Sequence, residues 1–354
     1  MGVSGDGVGF YRDPLCWLCL VYGAGQGHAQ LIVSVNSRQR LNSCASDWVL
    51  GVEIYWNEMS NMKHLGRDTD YPKEYDVSLL EAIPRAPGRE ALGLNLQELA
   101  FIGQDLWQAF EVSWLLDSGQ PQMAVLKLCI PATSENIVES KSLKLYLQSF
   151  HMTRLNSLAD LKVKVSTDLE TLLASPVTLE VWPLNQLSSV AVEYDIWSIR
   201  PWTHNISTLS LQNLQFIDLD ALQFCCDVFN VQPSLLQTLP ETRLCQVMTT
   251  DSFRSLCPVT GQPDFASFLI LTQGAALQPE SLGQYLASFR CHQGFHEQCV
   301  ETVFMAINNV ANFEKLSVIG RFTRRGGIDI NPERHKNQAS ADIAARLQQR
   351  QFRQ

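Results

Sequence analysis

Residues 144–150 read Lys-Leu-Tyr-Leu-Gln-Ser-Phe, and residues 283–289 read Gly-Gln-Tyr-Leu-Ala-Ser-Phe. The two stretches match at an offset of 139 positions (144 to 283). A second pair, Gly119-Gln120-Pro121 and Gly261-Gln262-Pro263, follows in the same order at an offset of 142 positions (119 to 261). Two matches in one order indicate a duplicated unit, each copy built from a β-hairpin, two helices and a second β-hairpin.

Hydrophobic patterning around these matches predicts the same order of elements in both halves. In the first half we predict strands at 123–130 and 176–182, and helices at 140–150 and 157–173. In the second half we predict strands at 265–271 and 316–322, and helices at about 280–290 and 295–310. The predicted fold class is therefore α+β, with antiparallel sheets backed by helices.

The predicted organisation has three parts. Residues 1–58 are Gly-rich in places and show no sustained period of 2 or 3.6, so we interpret them as a poorly ordered N-terminal extension. Residues 59–195 form the first module and residues 196–354 the second. Within the extension, residues 23–28 superficially resemble a dinucleotide loop. His28 takes the place of the third glycine and no βαβ unit follows, so we discount that motif.

Composition narrows the class of partner. The chain has 354 residues and a net charge of −9, and it contains no run of five basic residues. Such a chain is not expected to contact nucleic acid directly or to bind an anionic membrane. No apolar run approaches the roughly 18 residues of a membrane helix. The ten cysteines lack a repeating frame, which favours free thiols in a reducing cytoplasm. We therefore expect a cytoplasmic protein with a small-molecule substrate.

The candidate nucleophile is Cys257, in the stretch 256–264 that ends with Asp264. If Thr260 and Gly261 are the central residues of a two-residue turn, Cys257 lies directly opposite Asp264. A thiolate there could attack an electrophilic carbon such as that of a nitrile, and the carboxyl group could protonate the nitrogen. Two prolines in this stretch prevent a complete ladder of backbone hydrogen bonds, so a wider loop is also possible. The spacing also fits a buried cysteine beside an aspartate that caps a turn.

The two halves differ where chemistry is expected. Residues without charge fall opposite the polar residues of the second half: Leu115 for Cys257, Gln122 for Asp264, Ser157 for His296 and Leu158 for Glu297. Conversely, Gln278 falls opposite Glu139. If both polar sets serve one site, it lies where the halves meet, in this chain or across a dimer.

Other candidate groups have ordinary alternatives. Glu297 lies in the first turn of a helix, where the dipole stabilises a carboxylate that could accept hydrogen bonds from a guanine-like N–H edge. Lys141 and Lys144 share a helix face, and Arg324 and Arg325 precede two glycines, so both pairs could bind phosphates. A helix-start glutamate facing water, or a solvated pair of charges, is the commoner use of such residues.

A zinc site is an alternative for four residues of the second half: Cys291, His292, His296 and Cys299. Cys299, however, falls on the apolar stripe of its helix, and the set lacks the paired Cys-x-x-Cys frame of a closed site. We therefore predict no metal.

Four motifs together resemble the QueF family of nitrile reductases in its long, two-module form. They are Glu139-Ser140-Lys141-Ser142-Leu143-Lys144, Cys257 with Asp264 seven residues on, Phe295-His296-Glu297, and Phe322-Thr323-Arg324-Arg325-Gly326-Gly327. They occur in the family's order and spacing, and the likeness runs from about Lys63 to Arg334. Residues before about Met59 have no counterpart in the family.

The resemblance implies tandem tunnelling-fold modules, whose helix-backed antiparallel sheets assemble into a barrel, and a homodimer is expected. It implies NADPH-dependent reduction of 7-cyano-7-deazaguanine to 7-aminomethyl-7-deazaguanine, a step in the biosynthesis of the tRNA modification queuosine. Two NADPH would be used per nitrile, because nitrile to amine is a four-electron change.

The resemblance also implies roles for particular residues. Cys257 would form a covalent thioimide, Asp264 would donate a proton and His296 would assist proton transfer. Glu139 and Glu297 would hold the aminopyrimidinone ring. The expected NADPH contacts are Ser140, Lys141, Lys144, Arg324 and Arg325.

Two other functions compete with this one. A zinc-dependent cyclohydrolase of the tunnelling fold would need bound zinc and would hydrolyse its substrate without NADPH. A non-catalytic purine-binding paralogue would have no need to retain both Cys257 and Asp264, so their presence argues against it.

Overall fold

The computed structural model describes residues 71–186 and 214–347, residue 354, and two short strands near the N-terminus. The chain divides into two compact units, Met1–Leu50 and Gly51–Gln354. In the first unit, β1 (Phe10–Asp13) pairs antiparallel with β2 (Cys16–Cys19). Most of the predicted extension and the predicted module boundary at 195/196 lie outside the described residues.

The second unit is organised around an eight-stranded sheet in the order β7-β5-β4-β12-β11-β10-β9-β8. Its strands are β4 (Ile102–Leu115), β5 (Pro121–Pro131), β7 (Thr178–Pro183), β8 (Leu214–Asp218), β9 (Thr238–Leu256), β10 (Pro263–Leu277), β11 (Phe313–Phe322) and β12 (Ile328–His335). Neighbouring strands are antiparallel except β8 and β9, which are parallel. A smaller antiparallel pair joins β3 (Ala82–Pro84) to β6 (Asn136–Val138). The pairing of β12 with β4 joins the two halves.

Six helices accompany the sheets in the described residues: α1 (Ala86–Ala91), α2 (Ser140–Gln148), α3 (Leu158–Leu173), α4 (Pro279–Ala287), α5 (His296–Val310) and α6 (Gln338–Leu347). Local chemistry explains where several begin. Ser157 caps α3 by accepting a hydrogen bond from the backbone N–H of Asp160, and Pro279 opens α4 at a position where no N–H is needed.

None of the helices in the described segments has the length and apolar character needed to cross a membrane.

The predicted fold class, α+β with helix-backed antiparallel sheets, is confirmed. All eight predicted strands and helices are present, with ends shifted by a few residues and β10 extended to Leu277. The second half follows the predicted plan of β-hairpin, two helices and β-hairpin. The duplication is visible in α2 and α4, which both have nine residues and begin 139 positions apart.

Apolar side chains hold each half together. In the first half, the predicted apolar stripe is buried against β4, β5 and α3; it consists of Leu143 and Leu147 of α2 and Phe150 just after that helix. In the second half, α4 and α5 cover one face of β9, β10 and β11. The other face of those strands packs against Leu347 of α6 and its neighbours. Burial of each large apolar side chain contributes about 1.5–3 kcal/mol.

A buried ionic network joins the halves. Arg334 of β12 donates to Asp105 Oδ1 of β4 (2.7 Å) and to Glu301 Oε1 of α5 (2.8 Å). Arg89 of α1 also binds Glu301 (2.8 Å), and Arg85 binds Asp105 (2.5 Å). Each of these side chains is at most 6% exposed, so the charges are stabilised by one another rather than by water.

We expect Arg334→Met to lower the free energy of unfolding by about 3–5 kcal/mol, because it leaves two buried carboxylates with fewer cations. Urea unfolding followed by circular dichroism measures the change. The matched control is Arg243→Met, which removes an exposed ion pair with Glu314 and should cost less than about 1 kcal/mol. Equal losses in the two variants would contradict a joining role for the network.

Candidate active site

A cavity of about 630 Å³ lies between residues of both halves. Eight of the ten predicted site residues line it: Ser140, Lys141, Lys144, Cys257, Asp264, His296, Glu297 and Arg325. Glu139 and Arg324 are not among its lining residues. The first half supplies its residues from β4, β6 and α2, and the second from β10, α5, β12 and the loops next to them. One chain thus brings together the polar groups that each repeat lacks.

Cys257 is the first residue of the loop between β9 and β10. Its backbone N–H donates to the carbonyl of Gln262 (2.8 Å), and the N–H of Gly261 donates back to the carbonyl of Cys257 (3.0 Å). The predicted register was therefore wrong: Cys257 lies opposite Gln262, whereas Asp264 lies opposite Ser255. Cys257 and Asp264 are diagonal neighbours on one face, a relation that places Cα atoms about 7–8 Å apart.

The length of this loop explains the error. Residues 257–262 connect β9 to β10, whereas the shorter stretch 116–120 connects β4 to β5. Leu116 pairs with Gln120 as Cys257 pairs with Gln262, so Cys257 corresponds to Leu116 and not to Leu115. The additional residue is accommodated at the tip, where Gly261 adopts a φ of +66° that favours glycine.

Asp264 and His296 lie together on the floor of the cavity. Oδ1 of Asp264 is 2.8 Å from Nη2 of Arg325, and Oδ2 is 3.4 Å from Nε2 of His296. The imidazole stacks on Phe322, with ring centroids 3.9 Å apart and an angle of 14° between the planes. This stacking fixes the plane of the imidazole, so that Nε2 faces the carboxyl group of Asp264.

Glu297 is a buried carboxyl group at the start of α5. Burial raises the pKa of Glu297 to about 7; Asp105 raises it further, whereas His296 and Arg85 lower it. Its Oε1 is buried and has no hydrogen-bond partner among the described residues. A buried oxygen with no hydrogen-bond donor is suited to a ligand that brings its own N–H groups.

Glu139 is fully buried at the N-terminus of α2, where it serves as the N-cap. Its carboxylate accepts hydrogen bonds from the backbone N–H groups of Lys141 (2.8 Å) and Ser142 (2.6 Å), and from the hydroxyl of Ser140 (3.3 Å). Burial raises the pKa of Glu139, and the two backbone hydrogen bonds offset part of that rise. Its expected contact with substrate stays a prediction, since the structure shows the carboxylate bound to its own helix.

Cationic side chains from both halves meet at one end of the cavity. Arg325 begins a tight turn in which its N–H and carbonyl both bond to Ile328 (2.9 and 3.1 Å). Gly326 and Gly327, between them, have φ values of +57° and +79°. Nζ of Lys144 lies 2.7 Å from the place where a Cβ at position 326 would be. A phosphate-bearing ligand would meet Lys141, Lys144 and Arg325 together.

Arg324 turns away from this cluster. Its guanidinium lies over the ring of Phe110, 4.6 Å from the centroid, as in a cation–π contact. Its expected contact with NADPH stays a prediction.

The four residues of the zinc alternative are not brought together. Cys291 is exposed, Cys299 is fully buried, and burial lowers the pKa of His292. Within the described residues, no group of three or more His, Cys, Asp or Glu side chains is arranged to hold a metal ion.

The apolar wall of the cavity was not predicted from the sequence. It consists of Trp107, Ile137, Val138, Ile328 and Ile330. The strongest available signal was alternation in β4, where Asp105, Trp107 and Ala109 all face the interior. A flat ring bound against Glu297 would be covered on this side by hydrocarbon.

Comparison with known proteins matches both halves of the chain. The family model "Nitrile reductase, 7-cyano-7-deazaguanine-reductase N-term" matches residues 71–181, and the model "QueF-like protein" matches residues 263–341. Proteins named NADPH-dependent 7-cyano-7-deazaguanine reductase from Burkholderia lata and Burkholderia multivorans are 40% and 39% identical over 287 residues. Each alignment covers 80% of this chain and 97% of the relative.

The chain belongs to the QueF family. The two family models divide the site between them. The first covers Lys141 and Lys144, and the second covers Asp264, His296 and Arg325. Cys257 lies in the loop that precedes the second matched range. The alignment of this QueF-family chain with the Burkholderia lata relative spans 97% of that relative.

We expect Glu297→Gln to stabilise the protein at pH 8 by about 3 kcal/mol and to have little effect near pH 4.5. The folded state raises the pKa of Glu297 from 4.5 to about 7. Between these values the folded chain keeps a proton that the unfolded chain has lost. Stability therefore falls as pH rises through this window, and a neutral side chain removes that loss. Urea unfolding at pH 4.5 and pH 8 measures the difference.

The matched control is Glu301→Gln, four residues along the same helix. Burial alone would raise the pKa of Glu301, but Arg334, Arg89 and Arg85 together lower it. That carboxylate is stabilising, so the control should lose stability at pH 8. A loss of stability in Glu297→Gln at pH 8 would contradict the raised pKa of Glu297.

Proposed function

We propose that this chain reduces the nitrile of 7-cyano-7-deazaguanine to the aminomethyl group with NADPH, through a thioimide on Cys257. The reaction belongs to queuosine biosynthesis. The observation that carries the proposal is the placement of Cys257, Asp264 and His296 in one cavity with Glu297 and three cations. Family membership supports it, because the relatives named above are NADPH-dependent reductases of this substrate.

The deazaguanine ring is held by its polar edge and covered on its apolar side. Glu297 accepts hydrogen bonds from the ring N–H and the exocyclic amine, since its Oε1 has no other partner in the described structure. The apolar wall containing Trp107 and Ile330 excludes water from the ring. Glu297 must be ionised to accept both hydrogen bonds, so binding strengthens as pH rises through about 7.

The covalent step uses the thiol and the carboxylate together. The sulfur of Cys257 attacks the nitrile carbon, and one π pair of the nitrile moves to nitrogen. Asp264 receives the thiol proton and delivers a proton to that nitrogen, which yields the neutral thioimide. His296, 3.4 Å from the carboxyl group, assists the transfer.

The residues present fit a phosphate-bearing cofactor. Lys141, Lys144 and Arg325 line the same end of the cavity, and Nη1 of Arg325 is buried with no partner in the described structure. NADPH, when bound, supplies the hydrides, and two equivalents account for the four electrons between nitrile and amine. The cations bind and orient its phosphates, and the apolar wall keeps water from the nitrile carbon.

We propose that the enzyme acts in the cytoplasm on the free base, without contacting nucleic acid, and that two copies form a homodimer. Light scattering on the purified chain would measure its molar mass and so test the dimer.

We expect 7-cyano-7-deazaguanine to form a covalent adduct with the protein when NADPH is omitted. Intact-protein mass spectrometry should show the mass of the nitrile added once to the wild-type chain and absent from Cys257→Ala. The matched control is Cys291→Ala, which removes an exposed thiol and should keep the adduct.

Two results would overturn the proposal. One is a wild-type chain that forms no adduct and oxidises no NADPH when the nitrile is added. The other is hydrolysis of a purine or pterin ring that requires zinc, which would support the cyclohydrolase alternative.

We expect Lys144→Gln to raise KM for NADPH by about 10- to 100-fold, because a charge-assisted contact to phosphate is lost. Steady-state oxidation of NADPH at saturating nitrile measures this. Lys162→Gln is the matched control, since it removes the same charge from an exposed position on α3. An unchanged KM in Lys144→Gln, or an equal rise in both variants, would count against a cofactor contact.

A further inference from the structure

The carboxylate of Asp264 lies between two cationic or potentially cationic groups. Nη2 of Arg325 is 2.8 Å from Oδ1, and Nε2 of His296 is 3.4 Å from Oδ2. The Asp264 side chain is only 4% exposed, so water cannot stabilise its charge. A guanidinium stays protonated at every working pH, whereas an imidazole does not. Arg325 is therefore the permanent counter-charge of Asp264.

We propose that Arg325 is a positioning residue for the covalent step, holding Asp264 as an oriented carboxylate beside Cys257 before any cofactor binds. In this role Arg325 acts on Asp264 as well as contacting NADPH. The inference rests on the proposed function, because it concerns the addition of the Cys257 thiol to the nitrile.

The backbone around Arg325 is built to hold the guanidinium in place. The reciprocal hydrogen bonds between Arg325 and Ile328 close the turn through Gly326 and Gly327. The carbonyl of Gly327 also accepts from the N–H of Phe110 in β4 (2.9 Å), which ties the turn to the sheet. A short turn with both ends bonded leaves the side chain of Arg325 as the mobile part, and Asp264 fixes its end.

The proton balance of the addition explains why an ionised Asp264 matters. The S–H bond breaks, an S–C bond forms, and one π pair of the nitrile becomes a lone pair on nitrogen. Asp264 takes one proton and gives one back, so it begins and ends as a carboxylate. No electrons enter or leave in this step. A neutral Asp264 could not accept the thiol proton, and a carboxylate without Arg325 would be buried with a weaker counter-charge.

Other charged groups also face Asp264. Cys257, His296, Glu297, Lys141 and Lys144 line the same cavity as Asp264, and the charge of Asp264 contributes to the raised pKa of the Cys299 thiol. Of the Lys and Arg side chains that line the cavity, Arg325 is the one for which the structure gives a direct contact with the Asp264 carboxylate at hydrogen-bond distance. Its removal should therefore be felt at Asp264 more than any change at the lysines.

The test measures adduct formation at Cys257 without NADPH, by quenched-flow mass spectrometry across a range of pH. We expect Arg325→Gln to slow the reaction by about 10- to 100-fold and to move the acid limb of the pH profile to higher pH. Arg325→Lys keeps a positive charge but not the planar guanidinium, so its rate of adduct formation should lie between those of the wild-type chain and Arg325→Gln. Because it keeps the charge, it also tests the proposal if the glutamine variant folds poorly.

The matched control is Arg254→Gln. Arg254 lies in β9 opposite Phe265, one residue from the partner of Asp264 and so on the other face of the sheet. It should form the adduct at the wild-type rate with an unmoved pH profile.

Three outcomes would overturn the inference. If Arg325→Gln forms the adduct at the wild-type rate at every pH while its KM for NADPH rises, Arg325 serves the cofactor alone. If Arg254→Gln slows the reaction equally, the effect is not specific to the contact with Asp264. If the wild-type chain forms no adduct at all, the proposed function fails first and this inference fails with it.

Discussion

The buried contact of Arg334 with Asp105 and Glu301 is the constraint on which the rest of the molecule depends. Its three members come from β12, β4 and α5, so it fixes the seam between the two copies of a duplicated unit. Removing such charges from water is costly, and the cost is recovered only when all partners are in place. Loss of any one partner would leave an uncompensated buried charge at this seam.

The position of the cavity follows from that seam. Glu301 lies one turn after Glu297 on α5, so the network also sets where the first turn of α5 and its polar residues lie. On β4, Asp105 and Trp107 are two residues apart and so lie on the same face of the strand, which places the apolar wall next to the network. The site forms where the first repeat contributes Lys141, Lys144 and part of the apolar wall, and the second contributes the thiol, carboxyl and imidazole groups together with Arg325 and the rest of that wall.

Much of this arrangement could be predicted from sequence, because it rests on periodicity. The helices and the strands of each half follow from apolar spacing, and the internal match placed α2 and α4 in equivalent positions. Register could not be predicted, since a turn of unknown length decides which residue faces which. The contact between Asp264 and Arg325 also escaped, because nothing local links residues 61 positions apart. The capping role of Glu139 was visible only once both of its acceptor contacts were known.

The extra residue in the loop at 257–262 has a consequence for how a duplicated protein can diversify. Strand pairing next to both loops is held by buried side chains, and the difference in loop length between the two copies lies at the exposed tip. One copy has the shorter connection and an apolar residue, and the other is one residue longer and has a cysteine at the equivalent position. Novelty of this kind leaves the core untouched, and it makes the loop a natural place to graft a different reactive group onto the same scaffold.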